Sequence, residues 1–192
     1  MNVGIVKLHE HQELIDDAVR ILNNEWPRSE NARMHSLTDS RDDLPCCLLL
    51  VAKDDHGGLV NSKCVIGHSK LTRVHGKPKS VFLENVVVDK VKRGCGFGRK
   101  LMELSEHYVF KQGYEHIHLS THDKCKFYEH LGYRYSSPVS PVRANAKLLT
   151  PEQVISCIRM DTNCLSIYLF FSSSKHPHPH PHLHPTPPHP TP

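Results

Sequence analysis

The amino-acid sequence predicts an α+β fold in which helices flank a mixed, mostly antiparallel sheet. Three segments rich in apolar and β-branched residues follow one another, and only short polar connections separate them. This arrangement is typical of consecutive antiparallel strands. A glycine-rich turn, an amphipathic helix and a further strand come next, which is the order of a parallel crossover. Together these observations predict one sheet that is antiparallel at first and parallel at the crossover.

The first predicted element is a helix from Glu10 to Asn24. Its apolar residues recur at helical spacing and form one stripe, which consists of Leu14, Ala18, Ile21 and Leu22. Trp26 and Pro27 end the helix, because the residue before a proline avoids the helical region. The chain is then polar as far as Leu44, and we expect a loop there.

The three predicted strands run from Cys46 to Ala52, from Cys64 to Val74 and from Val81 to Asp89. The first is an apolar run bounded by Pro45 and by a polar, glycine-containing segment, as expected of a buried strand. The residues His75 to Pro78 predict the turn between the second and third strands.

The second half of the chain predicts a helix from Gly98 to Gln112, which Gly113 terminates. A strand from His116 to Thr121 follows. Asp123 is expected to cap a short helix through Leu131, because its side-chain oxygen can accept from free N–H groups at a helix start. Another strand is predicted to start at Tyr133 to Tyr135.

Beyond Pro138 the periodicity weakens, and residues 144–158 fit helix and strand in either order. We therefore predict a folded domain over residues 1–158 and a divergent segment over residues 159–192. Within that segment, Cys164 to Phe171 could supply one further strand. The His- and Pro-rich tail after Ser172 is too poor in apolar residues to order itself.

Length and composition indicate a soluble chain with one domain. The 192 residues carry a formal charge of +4, which is too weak to imply nucleic-acid binding. The N terminus lacks the apolar core of a signal peptide, and the apolar run Leu165 to Phe171 is too short to cross a bilayer. The seven cysteines include no CxxC pair and several lie in apolar runs, so we expect reduced, buried thiols, a cytoplasmic location and no membrane partner. The histidines outside the tail lack a ligand spacing such as HExxH, so no metal is expected.

The turn Arg93-Gly94-Cys95-Gly96-Phe97-Gly98 places three glycines among basic side chains. Glycine loses much chain entropy on folding, so the bare backbone must have a use. The turn is not a P-loop, and Leu101 stands where a dinucleotide fingerprint needs a small residue. Unpaired N–H groups at the start of the next helix would still bind phosphate, with Arg93, Arg99 and Lys100 nearby. The alternative is a tight strand–helix turn that binds no ligand.

Two motifs resemble those of the GNAT N-acetyltransferases. Arg93-x-x-Gly96-x-Gly98 is similar to the acetyl-CoA motif of that family, and the run Phe127 to Tyr133 is similar to its second signature. They stand in the family's order, and the resemblance covers residues 10–137. Other residues resemble the branch of the family that acetylates the processed, acidic N terminus of actin. These are Trp26-Pro27-Arg28-Ser29, Arg33-x-His35-Ser36-Leu37, Glu84-x-Val86-Val87-Val88 and Thr121-His122-Asp123.

The resemblance implies an enzyme that transfers acetyl from acetyl-CoA, its co-substrate, to an amine by direct attack without an acyl-enzyme. Tyr128 would protonate the leaving thiolate, because phenol and thiol have similar pKa values. Glu84 and His122 are both candidates for deprotonating the amine, and a backbone N–H near Val86 to Val88 would stabilise the oxyanion. The residues implied to bind acetyl-CoA are Val86, Val87, Val88, Arg93, Gly94, Cys95, Gly96, Phe97, Gly98 and Arg99.

The implied substrate is a protein N terminus that begins with Asp or Glu, as in processed actin. The residues expected to bind it are Trp26, Arg28, Arg33, His35, Arg73 and Thr121, because arginine forks bind carboxylates strongly. Considered singly, Trp26 would be a core residue and the arginines would be solvated charges. The resemblance to the actin-acetylating branch also implies profilin as a partner where a proline-rich insertion is present. Here histidines interrupt the prolines after residue 176, so profilin binding stays open.

Two other functions are compatible with the sequence. One is a GNAT enzyme that acts on lysine or on a small-molecule amine. The other is a non-catalytic module that keeps the fold and binds acetyl-CoA. Loss of Tyr128 or of the glycines would favour the module, and both are present.

Overall fold

The computed structural model describes residues 2–54, 56–59, 65–142 and 167–172. Within these ranges, seven strands form one sheet in the order β1-β2-β3-β4-β5-β7-β6. The strands are β1 (Asn2–Lys7), β2 (Cys46–Lys53), β3 (Val65–Val74), β4 (Lys77–Val88), β5 (His116–Thr121), β6 (Arg134–Tyr135) and β7 (Ile167–Ser172). The helices are α1 (Ile15–Glu25), α2 (Glu30–Thr38), α3 (Phe97–Lys111) and α4 (Cys125–Glu129), with 3₁₀ turns at Leu8–Glu10, Gln12–Leu14 and Lys90–Lys92.

The pairing of the strands confirms the predicted mixed sheet. β2, β3 and β4 are consecutive antiparallel neighbours, and β1 extends them at the edge. β4 and β5 pair in parallel, as the glycine turn and the crossover helix predicted. A two-residue turn that contains Gly76, with φ +69°, joins β3 to β4.

Helices cover both faces of the sheet. This explains why the sequence of β2 is a continuous apolar run. Cys47, Leu49 and Val51 pack with apolar residues of α1 and α2. Cys46 and Leu48 point to the opposite face and pack with Met102 and other residues of α3. A strand buried on both sides needs apolar residues at every position rather than at alternate ones. We call these the α1/α2 face and the α3/α4 face.

The first thirty residues differ from the prediction. β1 was not predicted, because it is a short edge strand that contains Gly4 and carries a weak β signal. The predicted helix begins at Ile15 rather than at Glu10, since two 3₁₀ turns occupy Leu8 to Leu14. Its predicted apolar stripe is correct: Leu14, Ala18, Ile21 and Leu22 are all buried.

Helix α2 lies where the sequence predicted a loop. The Ser29 side chain caps it by accepting from the Ala32 N–H at 3.4 Å. Only Arg33 and Leu37 of this helix are buried, one turn apart. The helix is therefore too polar to show a stripe of apolar side chains. From the sequence alone, Arg33 would be assigned to the surface, although it is buried and anchors the helix.

Strand β7 completes the far side of the sheet. Six of its residues pair antiparallel with the whole of β5, and two pair with β6. Leu169 is fully buried, and the Phe171 ring lies 5.2 Å from that of Tyr133. The strand proposed within Cys164 to Phe171 thus exists, and the sheet extends past residue 158, where we predicted the domain to end.

The short helix α4 differs in detail from its prediction. It begins at Cys125 and ends at Glu129, and the Asp123 side chain does not cap it. The Lys124 N–H instead donates to the Thr121 hydroxyl at 3.2 Å, while Asp123 pairs with the Lys124 ammonium. The predictions for residues 144–158, for Cys64 and for the tail after Ser172 lie outside the described residues. No helix in the described ranges is long and apolar enough to cross a membrane.

Candidate active site

The sheet opens between β4 and β5. The two strands pair only at Ser80–His116, Val81–Ile117 and Phe82–His118. Beyond Phe82, β4 continues to Val88 without a β5 partner among the described residues, whereas β5 stays paired with β7 on its other side as far as Thr121. A wedge-shaped gap, bounded by Leu83 to Val88 on one side, therefore interrupts the sheet. We call it the strand gap.

A β-bulge lies in β4 at the edge of the strand gap. His68 pairs with Val87 and Lys70 pairs with Glu84, so Ser69 alone faces both Asn85 and Val86. Asn85 adopts φ +54°, in the left-handed region. Because of the extra residue, each side chain after the bulge points to the opposite face of the sheet from the one it would have in a regular strand. The sequence contained no signal for this bulge.

The backbone of β4 beyond the bulge presents polar groups to the strand gap. The Val87 carbonyl oxygen lies 2.7 Å from where a Cβ on Gly67 would be, so it points towards β3. The Val88 N–H lies on the opposite side of that planar peptide and therefore faces the gap. The Asp89 N–H donates to Ile66 O at 2.8 Å, which leaves the Val88 carbonyl facing the gap as well. This edge can bond an extended ligand as an added strand would.

The glycine turn places free N–H groups beside the strand gap. Gly94 and Gly96 have φ values of +78° and +81°, which residues other than glycine seldom adopt. The first hydrogen bond of α3 runs from the Lys100 N–H to Gly96 O at 3.1 Å. The N–H groups of residues 97–99 precede it and donate to no other described residue. Together with the dipole of a 15-residue helix, they form the anion site that the sequence predicted.

The two sequence motifs meet at this helix start. A Cβ on Gly98 would lie 3.4 Å from the Phe127 ring, so a larger residue would crowd α4. The Phe127 ring packs edge-on against Tyr128 at 5.1 Å, and Tyr128 packs edge-on against Tyr133 at 5.7 Å. The acid candidate is therefore held next to the predicted phosphate site.

Tyr128 combines a buried ring with a hydroxyl that has no hydrogen-bond partner in the part of the chain that the structure describes. The residue is 8% exposed and belongs to the apolar cluster of the α3/α4 face. Its hydroxyl makes no hydrogen bond to another described residue. Burial, with a smaller contribution from the Asp123 carboxylate, raises the pKa of Tyr128 to about 12. The phenol is therefore protonated at neutral pH and can act as a proton donor.

Buried Tyr133 and partly buried Glu106 form a hydrogen-bonded pair behind Tyr128. The Tyr133 hydroxyl donates to Glu106 Oε1 at 3.0 Å. Burial raises the pKa of the Glu106 carboxyl, the hydrogen bond from Tyr133 opposes this shift, and the nearby Glu103 adds a smaller increase, so that the pKa is about 7. Glu106 was not among the candidates from the sequence, because nothing in the helical pattern distinguishes it from a surface glutamate.

The charged residues around the turn are held by ion pairs. Arg93 contacts Glu25 Oε2 of α1 at 2.8 Å and donates from Nε to Val88 O at 3.0 Å. Arg99 is exposed beside it, and so is Cys95. The exposed Cys95 departs from the expectation of buried thiols, which Cys46 and Cys47 satisfy. Arg93 therefore links the predicted phosphate loop to the end of α1.

The two base candidates lie in different settings. Glu84 lies on the α1/α2 face with Lys70 Nζ at 3.8 Å, and Lys70 also donates to Ser36 Oγ of α2 at 3.2 Å. His122 is exposed and directly follows β5. Thr121 uses its hydroxyl to accept from the Lys124 N–H. The geometry places both candidates near the strand gap and favours neither.

Three of the six expected substrate residues form one exposed group. Thr121 lies apart from them at the end of β5, and Arg33 and Arg73 are two further exceptions. Trp26, 42% exposed, lies with exposed Arg28 and His35 around the α1–α2 corner. Arg33 is only 4% exposed and donates to Asn23 Oδ1 at 3.1 Å and to Trp26 O at 2.6 Å. Burial lowers the pKa of Arg33, and its fork is already in use, so it positions the corner rather than presenting a free fork to a carboxylate.

Arg73 is the second exception. It lies near the end of β3, where its guanidinium contacts the carboxylate of Asp43 at 3.3 Å and donates to the Asp43 carbonyl at 2.7 Å. This position is beyond the C-terminal end of α2 and near the start of β4. Arg73 lines a depression of about 340 Å³ with Val74, Lys77, Pro78, Ser80 and Tyr114. That depression lies at the opposite end of β4 from the glycine turn.

One further cluster carries ligand-type side chains. His9, Glu10 and Asp42 lie close enough together to hold a cation. Lys7 Nζ already contacts the Glu10 and Asp42 carboxylates at 2.6 and 2.7 Å. An ion-pair network therefore accounts for the cluster, which lies by β1 and away from the strand gap.

Known proteins that are similar to this chain are acetyltransferases, in agreement with the resemblance of its sequence motifs. The model of the acetyltransferase (GNAT) family matches residues 11–133. Mouse N-alpha-acetyltransferase 80 is 42% identical over 127 residues, which are 66% of this chain and 40% of that protein. The chain thus spans well under half of the length of this relative.

Solved structures share the fold at low sequence identity. An aminoglycoside 6'-N-acetyltransferase complexed with coenzyme A is similar with a TM-score of 0.63 and 16% identity, over 92% of this chain and 99% of that one. The ribosomal-protein-S18-alanine N-acetyltransferase of Escherichia coli is similar with a TM-score of 0.57 and 16% identity, over 93% and 98% of the two chains. These likenesses confirm the predicted fold class.

Replacing Gly96 with alanine tests the anion site. The left-handed φ at this position costs alanine about 1 kcal/mol, and any relaxation turns the N–H groups of α3 away from the phosphate. Losing one hydrogen bond to a charged group should weaken coenzyme A binding about tenfold or more. Calorimetric titration with coenzyme A measures this. Gly57→Ala is the control, since Gly57 has φ +84° and open space around it in the β2–β3 connection. Equal weakening in both variants would contradict the assignment.

Glu106 predicts a pH dependence of stability. Its folded pKa lies above its ordinary value, so the folded state binds the proton more tightly than the unfolded state does. The stability from this group is fully present below the ordinary carboxyl pKa and falls as pH rises through about 7. The expected loss is about 1–2 kcal/mol, less than the full shift implies because the carboxyl is partly exposed. Urea unfolding at pH 5 and pH 8 measures it.

Glu106→Gln should remove this pH dependence, because an amide does not titrate in that range. Glu103→Gln, at the exposed glutamate one turn earlier on α3, should retain most of it. An unchanged slope in Glu106→Gln would show that another group is responsible.

Proposed function

This chain belongs to the GNAT family of acetyltransferases, and we propose that it transfers acetyl from acetyl-CoA to the free α-amine of protein N termini that begin with Asp or Glu, as in processed actin. The observation that carries the proposal is the convergence of three features at the strand gap. Among the described residues, these are the edge of β4 without a strand partner, the N–H groups at the start of α3 without an acceptor and the Tyr128 hydroxyl without a hydrogen-bond partner.

The residues of the strand gap suit a ligand with an extended arm and a pyrophosphate. The Val88 N–H faces the gap and would donate to a carbonyl of the arm, whereas the Val88 carbonyl already accepts from Arg93 Nε and would pair with the arm only when Arg93 turns away. The N–H groups of residues 97–99 would receive the phosphates, and Arg93 could turn to them from Glu25. Acetyl-CoA has both parts, and it supplies a thioester that an amine can attack directly.

Each step of the transfer then has a group on this chain. A backbone N–H of β4 near Val86 to Val88 would stabilise the carbonyl oxygen as it becomes negative. Tyr128 is neutral and would donate its proton to the departing sulfur. Glu84 or His122, directly or through water, would take the proton of the amine. An α-amine has a pKa of about 7.7–8.0, so a weak base is sufficient.

The acidic substrate is supported by the α1–α2 corner. Arg28 and His35 are exposed there beside the half-exposed Trp26, and Lys70 lies behind them against Glu84. An apolar ring with cations around it suits a short peptide that carries carboxylates next to its amine. Similarity to an N-alpha-acetyltransferase supports a protein N terminus as the substrate class. Actin as the natural substrate, a role for profilin and a cytoplasmic location are parts of the proposal.

A panel of peptides with free N termini tests this function. We expect the full chain to acetylate peptides that start Asp-Asp-Asp and Glu-Glu-Glu, and to prefer them to peptides that start Met-Leu or Ser-Gly. Mass spectrometry identifies the acetylated α-amine. Transfer without preference would remove the acidic specificity, and transfer to a lysine or to a small amine would replace the substrate class. Binding of acetyl-CoA without any transfer would indicate a non-catalytic module.

Tyr128→Phe tests the proton donor. The ring and its contacts with Phe127 and Tyr133 stay, whereas the hydroxyl is lost. We expect kcat to fall about 100-fold or more while the affinity for acetyl-CoA stays close to that of the wild type. Tyr135→Phe is the control, because Tyr135 is exposed and its hydroxyl donates to Glu129, away from the strand gap. Equal losses of turnover and of acetyl-CoA affinity in Tyr128→Phe would contradict the assignment.

A further inference from the structure

His68 is a wholly buried histidine in the middle of β3, and the sequence did not single it out. Its Nδ1 lies 3.0 Å from the carbonyl oxygen of Asn85 in β4. A carbonyl can only accept, so Nδ1 carries the proton and donates, and Nε2 is left as an acceptor. Burial lowers the pKa of His68 to about 4, and the Lys70 and Arg33 cations act in the same direction. The ring is therefore neutral at physiological pH.

The other nitrogen of the ring has no partner. Nε2 of His68 is buried and forms no hydrogen bond with the described residues. A buried polar atom without a partner is unfavourable, and buried polar groups in proteins are usually satisfied. An apolar side chain of similar size would avoid this penalty. The contribution of the imidazole at this position is therefore the bond that Nδ1 makes.

That bond lies on the bulge of β4. The carbonyl that accepts it belongs to Asn85, the residue with φ +54°. Non-glycine residues in the left-handed region are strained and persist only where the surroundings hold them. The ladder between β3 and β4 is interrupted at this point, since Ser69 faces two residues. A side chain of β3 thus supplies a hydrogen bond where the regular ladder is broken.

We propose that His68 is a positioning residue for acetyl transfer, because it holds the β4 bulge that directs the backbone of Val86 to Val88 into the strand gap. This proposal rests on the function proposed above. His68 would touch neither the acetyl group nor the amine, and it would act through Asn85.

The direction of the Val88 N–H depends on the bulge. Successive N–H groups of a strand point to opposite sides. If β4 had no extra residue opposite β3, every N–H group after the bulge would therefore point to the other side. Without the bulge, the Val88 N–H would face β3 instead of the gap. Val86 and Val88 would also exchange faces with Val87, which packs against α1 and α2. The bulge thus affects both the polar edge and the packing behind it.

Two variants of His68 separate positioning from general stability. In His68→Asn, the side-chain amide N–H can occupy the place of Nδ1–H, whereas His68→Leu fills a similar space without a donor. We expect His68→Leu to lower kcat by about 10- to 100-fold, less than or similar to the loss of an oxyanion donor. Its affinity for coenzyme A should change much less, and His68→Asn should recover a large part of kcat.

The matched control is Thr72→Val on the same strand. Thr72 is also buried, and its hydroxyl donates to the β4 carbonyl of Phe82 at 3.4 Å, but on the other side of the bulge. Both Thr72→Val and His68→Leu should lower the melting temperature, and only His68→Leu should lower kcat at a temperature where all variants are folded. Equal effects on kcat in the two variants would overturn the proposal.

A second measurement does not depend on turnover. The coupling between the amide and α protons of Asn85, in labelled full-length protein, reports its φ angle. We expect the left-handed value in the wild type and in His68→Asn, and its loss in His68→Leu. An unchanged Asn85 coupling in His68→Leu would overturn the role of His68 even if no peptide is acetylated. Absence of transfer by the wild type would instead overturn the proposed function and leave this measurement decisive for His68.

Discussion

The divergence of β4 from β5 is the constraint on which the rest of the site depends. Two parallel strands that separate after Phe82 and His118 leave a row of backbone groups without ladder partners. Such groups are unfavourable in a protein interior unless something bonds them. Part of that requirement is met internally, since Arg93 donates to Val88 O. The groups that remain define a site for an extended, amide-containing ligand.

Features of the structure that depend on neighbouring residues alone could be predicted from the sequence. The apolar runs gave the positions of β2 to β5 within a few residues, and the glycines at 94, 96 and 98 indicated the turn because their backbone requirement is local. The resemblance carried by Arg93 to Gly98 and by Phe127 to Tyr133 predicted the fold class, but it did not predict a contact between the two motifs. In the structure those two motifs touch, where the Gly98 backbone packs against the Phe127 ring.

The features that depend on pairing or burial could not be predicted in the same way. The bulge at Asn85 exists only relative to its partner strand, and no residue type there requires it. Arg33 looked like a substrate ligand because its charge is visible in the sequence, whereas the carbonyl of Trp26 and the amide of Asn23 that bind it are not. His68 and Glu106 were missed for the same reason. Their roles come from burial, which the pattern of apolar and polar residues along β3 and α3 does not reveal.

The candidate catalytic residues lie on opposite faces of the sheet. Tyr128 belongs to the α3/α4 face, whereas Glu84 lies on the α1/α2 face with Lys70 and Ser36. The proposed proton donor for the sulfur and the proposed acceptor for the amine proton thus lie on opposite faces of the sheet. This suits direct attack, in which the amine enters from one face while the thiol leaves towards the other. The buried thiols near the sheet centre do not favour a covalent route, because burial raises the pKa of Cys46 to about 11 and that of Cys47 to about 12. The geometry therefore favours an enzyme that orients two substrates across the sheet over one that carries the acyl group itself.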